Sequence, residues 1–249
     1  MKKGRTVFLV ILLISLLSAQ DLSGPGILDK MMDVMNPEFA YAKMKQTIIT
    51  STGQTRTLEY ESFSGQNGKN AIMRYLEPAR VRGNAMLMTG FSDNIWMYNQ
   101  RTNRIRKLAS HARKQKFEGS DFTYEDMGSG DTWKEDYDTK LVGTDKTGGV
   151  NCYVLEMTAK AQDQTYQKII CYVGQNDFCA RRLDYFEDPK INHKSLILSD
   201  IQIIQGIPTP MKMTMKNHIE SSETTMEYME VNYDVKYPES FFSERNLVE

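Results

Sequence analysis

The chain has 249 residues, of which 40% are hydrophobic and 25% are charged, and its formal net charge is -1 at pH 7. This length suits one antiparallel β-domain with a substantial core. The slightly acidic balance argues against a nucleic-acid partner, because phosphate binding needs a basic face.

The first residues have the three-part pattern of a secretory signal peptide. Basic side chains at positions 2, 3 and 5 precede an apolar run over residues 7–17, and Ser18 and Ala19 provide small residues for cleavage. The run is well short of the roughly 20 apolar residues that span a bilayer, so a retained membrane anchor is the weaker alternative. We therefore predict that residues 1–19 are a cleaved signal peptide and that residues 20–249 form one exported domain.

A helix is predicted after a short flexible leader at residues 21–26. Its apolar residues recur at spacings of three and four, which places them on one helix face. They are Ile27, Leu28, Met31, Met32 and Met35. Asn36 and Pro37 should end the helix, because the residue before a proline disfavours helical geometry.

From there the pattern changes to short runs of period two, separated by turn signals such as those at residues 51–53, 65–68 and 147–149. Many short strands of this kind indicate an antiparallel sheet that curls into a barrel or half-barrel, and not a parallel α/β fold. No repeat or low-complexity linker divides the sequence. The predicted fold class is therefore mainly β (α+β), in a single domain.

A β-hairpin is predicted at residues 95–108. Trp96 and Tyr98 fall on one side of its first strand, and Ile95 and Met97 fall on the other. Polar residues 99–103 supply the turn that leads into a basic second strand. Because both faces of the first strand are apolar, we expect it to lie between a core and a covered cavity.

The segment from residue 110 to residue 131 alternates only weakly. It places aromatic side chains at Phe117, Phe122 and Tyr124 among charged residues. We expect a loop with a short helix. One interpretation is a cover over the open side of the barrel, and the alternative is a surface loop pinned by its aromatic residues.

Three cysteines follow, at positions 152, 171 and 179. An exported protein meets an oxidising compartment, but an odd number of cysteines leaves at least one unpaired. A pair between Cys152 and Cys171, a pair between Cys171 and Cys179, and a buried apolar thiol at Cys152 are all compatible with the sequence.

The methionines lie in stripes. Met211, Met213 and Met215 share one face of a predicted strand, and Met86 and Met88 share a face of an earlier one. Methionine is unbranched and polarizable, so a surface built from it can repack around apolar ligands of varied shape. The alternative for each single residue is ordinary core packing. The combination of a Met-rich helix and Met-faced strands favours a pocket for acyl chains.

Characteristic motifs lie along most of the chain. They are LEPAR at residues 76–80, RG at 82–83, WMY at 96–98, the basic segment 104–107, GSDFTYED at 119–126, CYVLEMTAK at 152–160, IPT at 207–209 and FSERNL at 242–247. These motifs resemble, in the same order, those of the LolA-like family, often described as outer-membrane lipoprotein-sorting proteins. The resemblance implies an incomplete antiparallel β-barrel, closed by the amino-terminal helix and a loop or short-helix lid around an apolar cavity. It also places Phe117, Phe122, Tyr124 and Met127 near the mouth of that cavity.

The resemblance further implies a periplasmic carrier that binds acyl chains of lipoproteins or lipids and moves them between the inner and outer membranes. The implied partners are an inner-membrane transporter of the ABC or RND type and an outer-membrane acceptor. We predict lipid contacts for Met31, Met35, Met73, Met86, Met88, Trp96, Tyr98, Phe122, Met211, Met213 and Met215. A basic cluster that includes Arg101, Arg104, Arg106 and Arg113 is the candidate docking surface, and a plain solvated strand and loop is its alternative.

No catalytic centre, metal site or cofactor is predicted. The three histidines are isolated in sequence, and no Cys-x-x-Cys or Gly-x-Ser-x-Gly motif occurs. Ser120 and Asp121 near His111, or the carboxylates Asp121, Glu125 and Asp126, are the only hints of a hydrolase, and capping within the 119–126 turn explains them better. A module that binds a partner protein and carries no lipid is the main non-enzymatic alternative.

Overall fold

The computed structural model describes residues 22–128 and 132–248. The predicted signal peptide and its cleavage site lie outside the described residues. The helices are α1 (Gly24–Met35), α2 (Tyr124–Gly128) and α3 (Trp133–Asp136), with 3-10 turns at Ser110–Lys114, Phe117–Gly119, Glu239–Phe241 and Glu244–Leu247. The strands are β1 (Phe39–Ile49), β2 (Thr55–Gly65), β3 (Asn70–Glu77), β4 (Ala85–Thr89), β5 (Asn94–Asn99), β6 (Arg104–Lys107), β7 (Tyr137–Thr147), β8 (Val150–Ala159), β9 (Lys168–Gly174), β10 (Ala180–Phe186), β11 (Lys194–Ile204), β12 (Ile207–Asn217) and β13 (Ser222–Asn232).

All thirteen strands of the described residues belong to one antiparallel sheet. Its order is β6-β5-β4-β3-β2-β1-β13-β12-β11-β10-β9-β8-β7. Each half of the chain is a meander, and pairing of β1 with β13 joins the two halves. Because β6 and β7 end the sheet at opposite edges, the sheet is open. The prediction of a mainly β, antiparallel fold is confirmed.

Alternation in strands such as β1 divides the sheet into an inner and an outer face. In β1, Ala42, Met44, Gln46 and Ile48 are buried while the residues between them are more exposed. The main hydrophobic cluster joins inner-face residues of both halves of the sheet to α1. A period of two therefore produces one continuous core, as expected for strands that bury a single face.

The amino-terminal helix lies on this inner face through the predicted apolar stripe, and Ile27, Leu28, Met31 and Met32 are buried. The Ser23 hydroxyl caps the helix by accepting from the Gly26 amide, and Asn36 ends it as predicted. The predicted flexible leader was wrong at residues 24–26, which form the first turn. A β-carbon at Gly24 would lie 2.7 Å from the backbone nitrogen of Leu141, so glycine lets the helix start directly against β7.

The predicted hairpin at residues 95–108 is confirmed as β5 and β6, with Tyr98 opposite Ile105. Ile95 packs into the main cluster, whereas Trp96 and Tyr98 pack on the outer face in a second, smaller cluster. The carboxyl-terminal residues Phe242 and Leu247 cover that outer face. Both faces of β5 are therefore covered. The main hydrophobic cluster covers the inner face, and the carboxyl-terminal segment covers the outer face.

The segment between β6 and β7 has the expected loop and short-helix form. Phe117 and Phe122 are buried in the main cluster, which is compatible both with a cover over the open side of the sheet and with a loop pinned by its aromatic residues. A reciprocal cap starts α2, because Asp126 accepts from the Thr123 amide and Thr123 accepts from the Asp126 amide. The predicted segment ends at residue 131, and residues 129–131 lie outside the described part of the chain.

The three cysteines are free and buried. Neither considered pair is aligned for a bridge, since Cys152 lies opposite Gly174 and Cys171 lies between Leu155 and Leu183. Burial raises the pKa of Cys179 to about 11 and raises that of Cys171 further. These thiols therefore remain neutral and behave as small apolar side chains.

Candidate functional site

An apolar cavity of about 220 Å³ lies between α1, α2, the start of α3 and strands β10 and β11. Its apolar lining consists of Met31, Met32, Met35, Met127, Trp133, Ala180, Leu183, Tyr185 and Leu196. Asn36, Gly68, Asp126 and Gly128 complete the wall. The lining of this cavity is therefore mainly hydrocarbon.

Local sequence patterns explain how these side chains meet. Met31 and Met35 are one helical turn apart on α1 and point to the same side. On β10, Leu183 and Tyr185 are two residues apart and share the inner face. Antiparallel pairing then sets Leu196 of β11 directly opposite Leu183. One helix turn and two paired strands therefore form most of the apolar wall.

A buried polar group borders this cavity at Asp126. Its carboxylate accepts from the Tyr166 hydroxyl at 2.9 Å, and Lys194 Nζ lies 3.9 Å from its other oxygen. Burial, reinforced by the charge of Asp126, raises the pKa of Tyr166 well above its usual value, so the hydroxyl stays protonated and donates. Since Lys194 is itself buried beside the carboxylate, the charge of Asp126 is balanced and the lining stays compatible with hydrocarbon.

Larger surface cavities have the wrong chemistry for an acyl chain, and two of them show this most clearly. One, of about 500 Å³, lies between α1 and β7 and includes Asp29, Lys134, Lys140 and Lys160 in its lining. The other, of about 380 Å³, is lined mainly by charged and polar side chains near Arg113. Hydrocarbon bound there would displace water from charged groups, which is costly.

The predicted lipid-contacting residues divide between this cavity and the core behind it. Met31 and Met35 line the cavity. The others on the inner face are Met73, Met86, Met88, Phe122, Met213 and Met215, which pack in or against the main cluster. Met73, Met86 and Met88 are 2%, 0% and 4% exposed. These side chains touch one another now, so they meet a ligand only if the interior repacks.

Three predicted residues are elsewhere. Trp96 and Tyr98 lie on the outer face, and the Tyr98 hydroxyl donates to Asn103. The prediction that they face a lipid cavity was wrong, because the second covered face of β5 meets the chain's own carboxyl-terminal segment. Met211 is half-buried on β12 and belongs to neither hydrophobic cluster.

Sequence reasoning missed Trp133, Leu183, Tyr185 and Leu196 as cavity residues, whereas Met127, which the family resemblance placed near the mouth of a cavity, does line this one. A signal existed for one pair, because Leu183 and Tyr185 alternate with charged residues along one strand. Their position beside α1 follows from long-range pairing, which the sequence alone does not reveal.

The predicted docking residues lie near the β6 edge of the sheet. Arg101, Arg104 and Arg106 are exposed, so they are free to meet an acidic surface. Arg113 is half-buried and pairs with Asp93 at 2.6 Å. The basic edge therefore consists chiefly of the first three.

Ser120 and Asp121, which the sequence offered as possible hydrolase residues, make structural hydrogen bonds. Ser120 is buried and its hydroxyl donates to the carbonyl of Phe122. Asp121 accepts from the hydroxyls of Ser222 and Thr224, which fastens the 117–122 segment to β13. These groups have no exposed face toward a substrate. Across residues 22–128 and 132–248, no three histidine, cysteine or acidic residues form a group that could hold a metal ion.

A serine, a histidine and an aspartate meet on the outer face, which the sequence did not suggest. The Ser195 hydroxyl lies 2.5 Å from Asp184 and 2.8 Å from His218 Nε2. The aspartate bonds the serine and not the imidazole, and Ser195 is 3% exposed. A catalytic triad needs the acid to orient the histidine, so this group is a structural contact between β10, β11 and β12.

A family model described as "Uncharacterized protein" matches residues 67–249. No curated protein matches the chain significantly. In the part of the chain that the structure describes, no helix has the length and hydrophobicity needed to cross a bilayer.

Several solved structures share the fold. A DUF1329 family protein from Desulfovibrio piger has a TM-score of 0.80 and 24% identity, over 90% of this chain and 97% of its own. A putative outer membrane lipoprotein-sorting protein domain from Vibrio parahaemolyticus has a TM-score of 0.82 and 19% identity, over 91% and 98%. A LolA superfamily protein from Nitrosomonas europaea has a TM-score of 0.74 and 19% identity, over 90% and 99%.

Proposed function

We propose that this chain, which belongs to the family whose model matches residues 67–249 and shares its fold with a LolA superfamily protein, is a non-enzymatic periplasmic carrier for acyl chains of lipoproteins or lipids. It would shield the chains from water while they pass from the inner to the outer membrane. The observation that carries the proposal is the methionine-walled apolar cavity beside α1, continuous with the inner-face core. The likeness of the fold to a putative lipoprotein-sorting domain supports the same class of ligand.

The size of the cavity sets what it can hold before any rearrangement. At roughly 30 Å³ for each water-sized group, its volume of about 220 Å³ holds on the order of seven methylenes. Burying seven methylenes contributes about 6 kcal/mol, at roughly 0.8 kcal/mol each, before entropic costs. This is enough for weak binding of part of a chain. A longer acyl chain needs more room.

The core behind the cavity is suited to provide that room. Met31 and Met32 of the cavity wall also belong to the main cluster, together with the inner-face residues Met86, Met215 and Met226. Unbranched thioether side chains change rotamer without the strain that a branched side chain would meet. The carrier would therefore take up a longer chain by repacking methionines on both sides of α1.

Delivery would use the basic edge formed by Arg101, Arg104 and Arg106. Exposed guanidinium groups attract anionic headgroups and acidic protein surfaces over about a Debye length. We expect an inner-membrane transporter of the ABC or RND type to load the carrier and an outer-membrane acceptor to receive the lipid. Export through cleavage of residues 1–19 is part of this proposal.

Native mass spectrometry of the mature protein, purified without detergent, tests the proposal. A carrier should show added masses that organic extraction removes and identifies as lipid. A partner-binding module without lipid is the second candidate, and the small size of the preformed cavity favours it. A bare chain that also fails to take up added palmitate would support that module and exclude the carrier.

A further inference from the structure

One amide on the inner face of the sheet has no hydrogen-bonding partner. Gln46 lies in the middle of β1 and is 0% exposed. Among the described residues, no protein group bonds to its Nε2 or Oε1. Its cross-strand neighbours are Leu58 and Met226. Buried carboxamides are almost always hydrogen-bonded, because an unpaired one destabilises the fold. An apolar residue would suit this position better if packing were its only role.

A second unpaired donor lies diagonally across from this amide. Arg56 lies two residues before Leu58 on the same face of β2, opposite Ile48, and long side chains at such diagonal positions reach each other. Its Nε is buried without a partner, while another guanidinium nitrogen donates to the carbonyl of Glu118. Arg56 is therefore held under the 117–119 turn with one N–H group still free.

The surroundings of these two residues suit a fatty-acyl group. Met44, Tyr60 and Met226 line the inner face beside Gln46. The Tyr60 hydroxyl donates only to the sulfur of Met226, at 3.6 Å, and thioether sulfur is a weak acceptor. Hydrogen-bond donors that lack a strong acceptor thus lie next to methionine side chains that can repack around hydrocarbon.

We propose that Gln46 and Arg56 form an internal binding point for the carbonyl or carboxylate oxygen of a fatty-acyl ligand. The oxygen would accept from Gln46 Nε2 and Arg56 Nε beneath the 117–119 turn. The hydrocarbon would lie against Met44 and Met226. This inference rests on the proposed carrier function and adds to it, because it states which atom of the ligand the protein recognises.

Three ligands with similar hydrocarbon chains are compared: laurate, methyl laurate and dodecane. They show whether the protein recognises the oxygen-containing head group or only buries the hydrocarbon. Each competes with the apolar fluorescent probe N-phenyl-1-naphthylamine on the wild-type mature protein and on Gln46→Met. A matched control is Met44→Leu, which changes an apolar residue on the same face to another. Thermal unfolding without ligand is measured for all three proteins.

We expect Gln46→Met to weaken binding of laurate and methyl laurate about tenfold, the value of one hydrogen bond, and to leave dodecane unchanged. Loss for laurate alone would identify a carboxylate as the recognised group, and loss for both would identify the acyl carbonyl. The ligand-free variant should melt higher than the wild type, because an unpaired amide is removed. Met44→Leu should keep the preference for oxygenated ligands.

The inference is overturned if Gln46→Met melts higher and binds all three ligands as the wild type does. The Gln46 amide would then be a structural group that binds water and does not contact the ligand. In that case dodecane and laurate binding to the wild type would still support the carrier function. If none of the three ligands binds the wild type, the carrier proposal and this inference both fail.

Discussion

Replacing Met35 by aspartate would place a carboxylate on the wall of the apolar cavity. Met35 is half-buried at the last turn of α1 and lines the cavity with Met31 and Met32. Without ligand, a carboxylate there can stay hydrated, because the original side chain is partly exposed. The fold should therefore tolerate Met35→Asp, with a change in unfolding free energy within about 1 kcal/mol.

Ligand binding should respond much more strongly than stability. The cavity, at about 220 Å³, offers on the order of 6 kcal/mol of hydrocarbon burial. Dehydrating an unpaired carboxylate costs several kcal/mol. A net loss of about 3 kcal/mol corresponds to a loss of affinity of roughly a hundredfold.

The assay is titration of the mature protein with palmitate, followed by thermal unfolding of the same samples. Met35→Leu is the matched control and should keep affinity within a few-fold. Met88→Asp provides the contrast, since Met88 is 4% exposed in the core and a buried charge there should cost more than about 4 kcal/mol of stability. Equal palmitate affinity for Met35→Asp and the wild type would refute the reasoning.

Three further predictions concern other parts of the molecule. Asp121→Ala leaves the buried Thr224 hydroxyl and the half-buried Ser222 hydroxyl without their acceptor and should cost about 2–5 kcal/mol of stability, whereas unchanged chemical denaturation would contradict its role as an anchor. Burial raises the pKa of Cys179 from 9.0 to about 11. The folded state therefore holds this proton longer than the unfolded state, and stability should fall as the pH rises from 9 through 11, less steeply in Cys179→Ala. Charge reversal at Arg104 and Arg106 should slow transfer to anionic vesicles without changing the melting temperature, because both side chains are exposed, and equal transfer would remove the basic edge from the account.

The general fold was predictable because local patterns carry it. The spacing of Ile27 and Met31 gives the helix, and alternation around Trp96 and Tyr98 gives the β5 strand with two covered faces. Which parts of the molecule cover the two faces of β5 was not predictable from the sequence. Trp96 and Tyr98 meet Phe242 and Leu247, and that contact depends on where a segment far along the chain returns.

The cavity was predicted only in its helical part. Met31 and Met35 belong to a local repeat, so their common face follows from sequence spacing. Leu183, Tyr185 and Leu196 reach the same cavity through the register of β10 with β11 and the position of α1. Strand stripes such as Met86 and Met88 indicated the inner face correctly, but alternation does not distinguish a face that lines a cavity from one that fills a core.

Photo-crosslinking with a palmitate analogue that carries a diazirine near its methyl end tests the central claim most directly. After irradiation and proteolysis, mass spectrometry should locate the adducts on the peptides that contain Met31 to Met35, Met127 and Leu183 to Tyr185, around the apolar cavity. Excess unlabelled palmitate should remove them. Adducts confined to the outer face around Trp96 and Phe242, or none that palmitate displaces, would contradict an acyl-chain carrier built on this cavity.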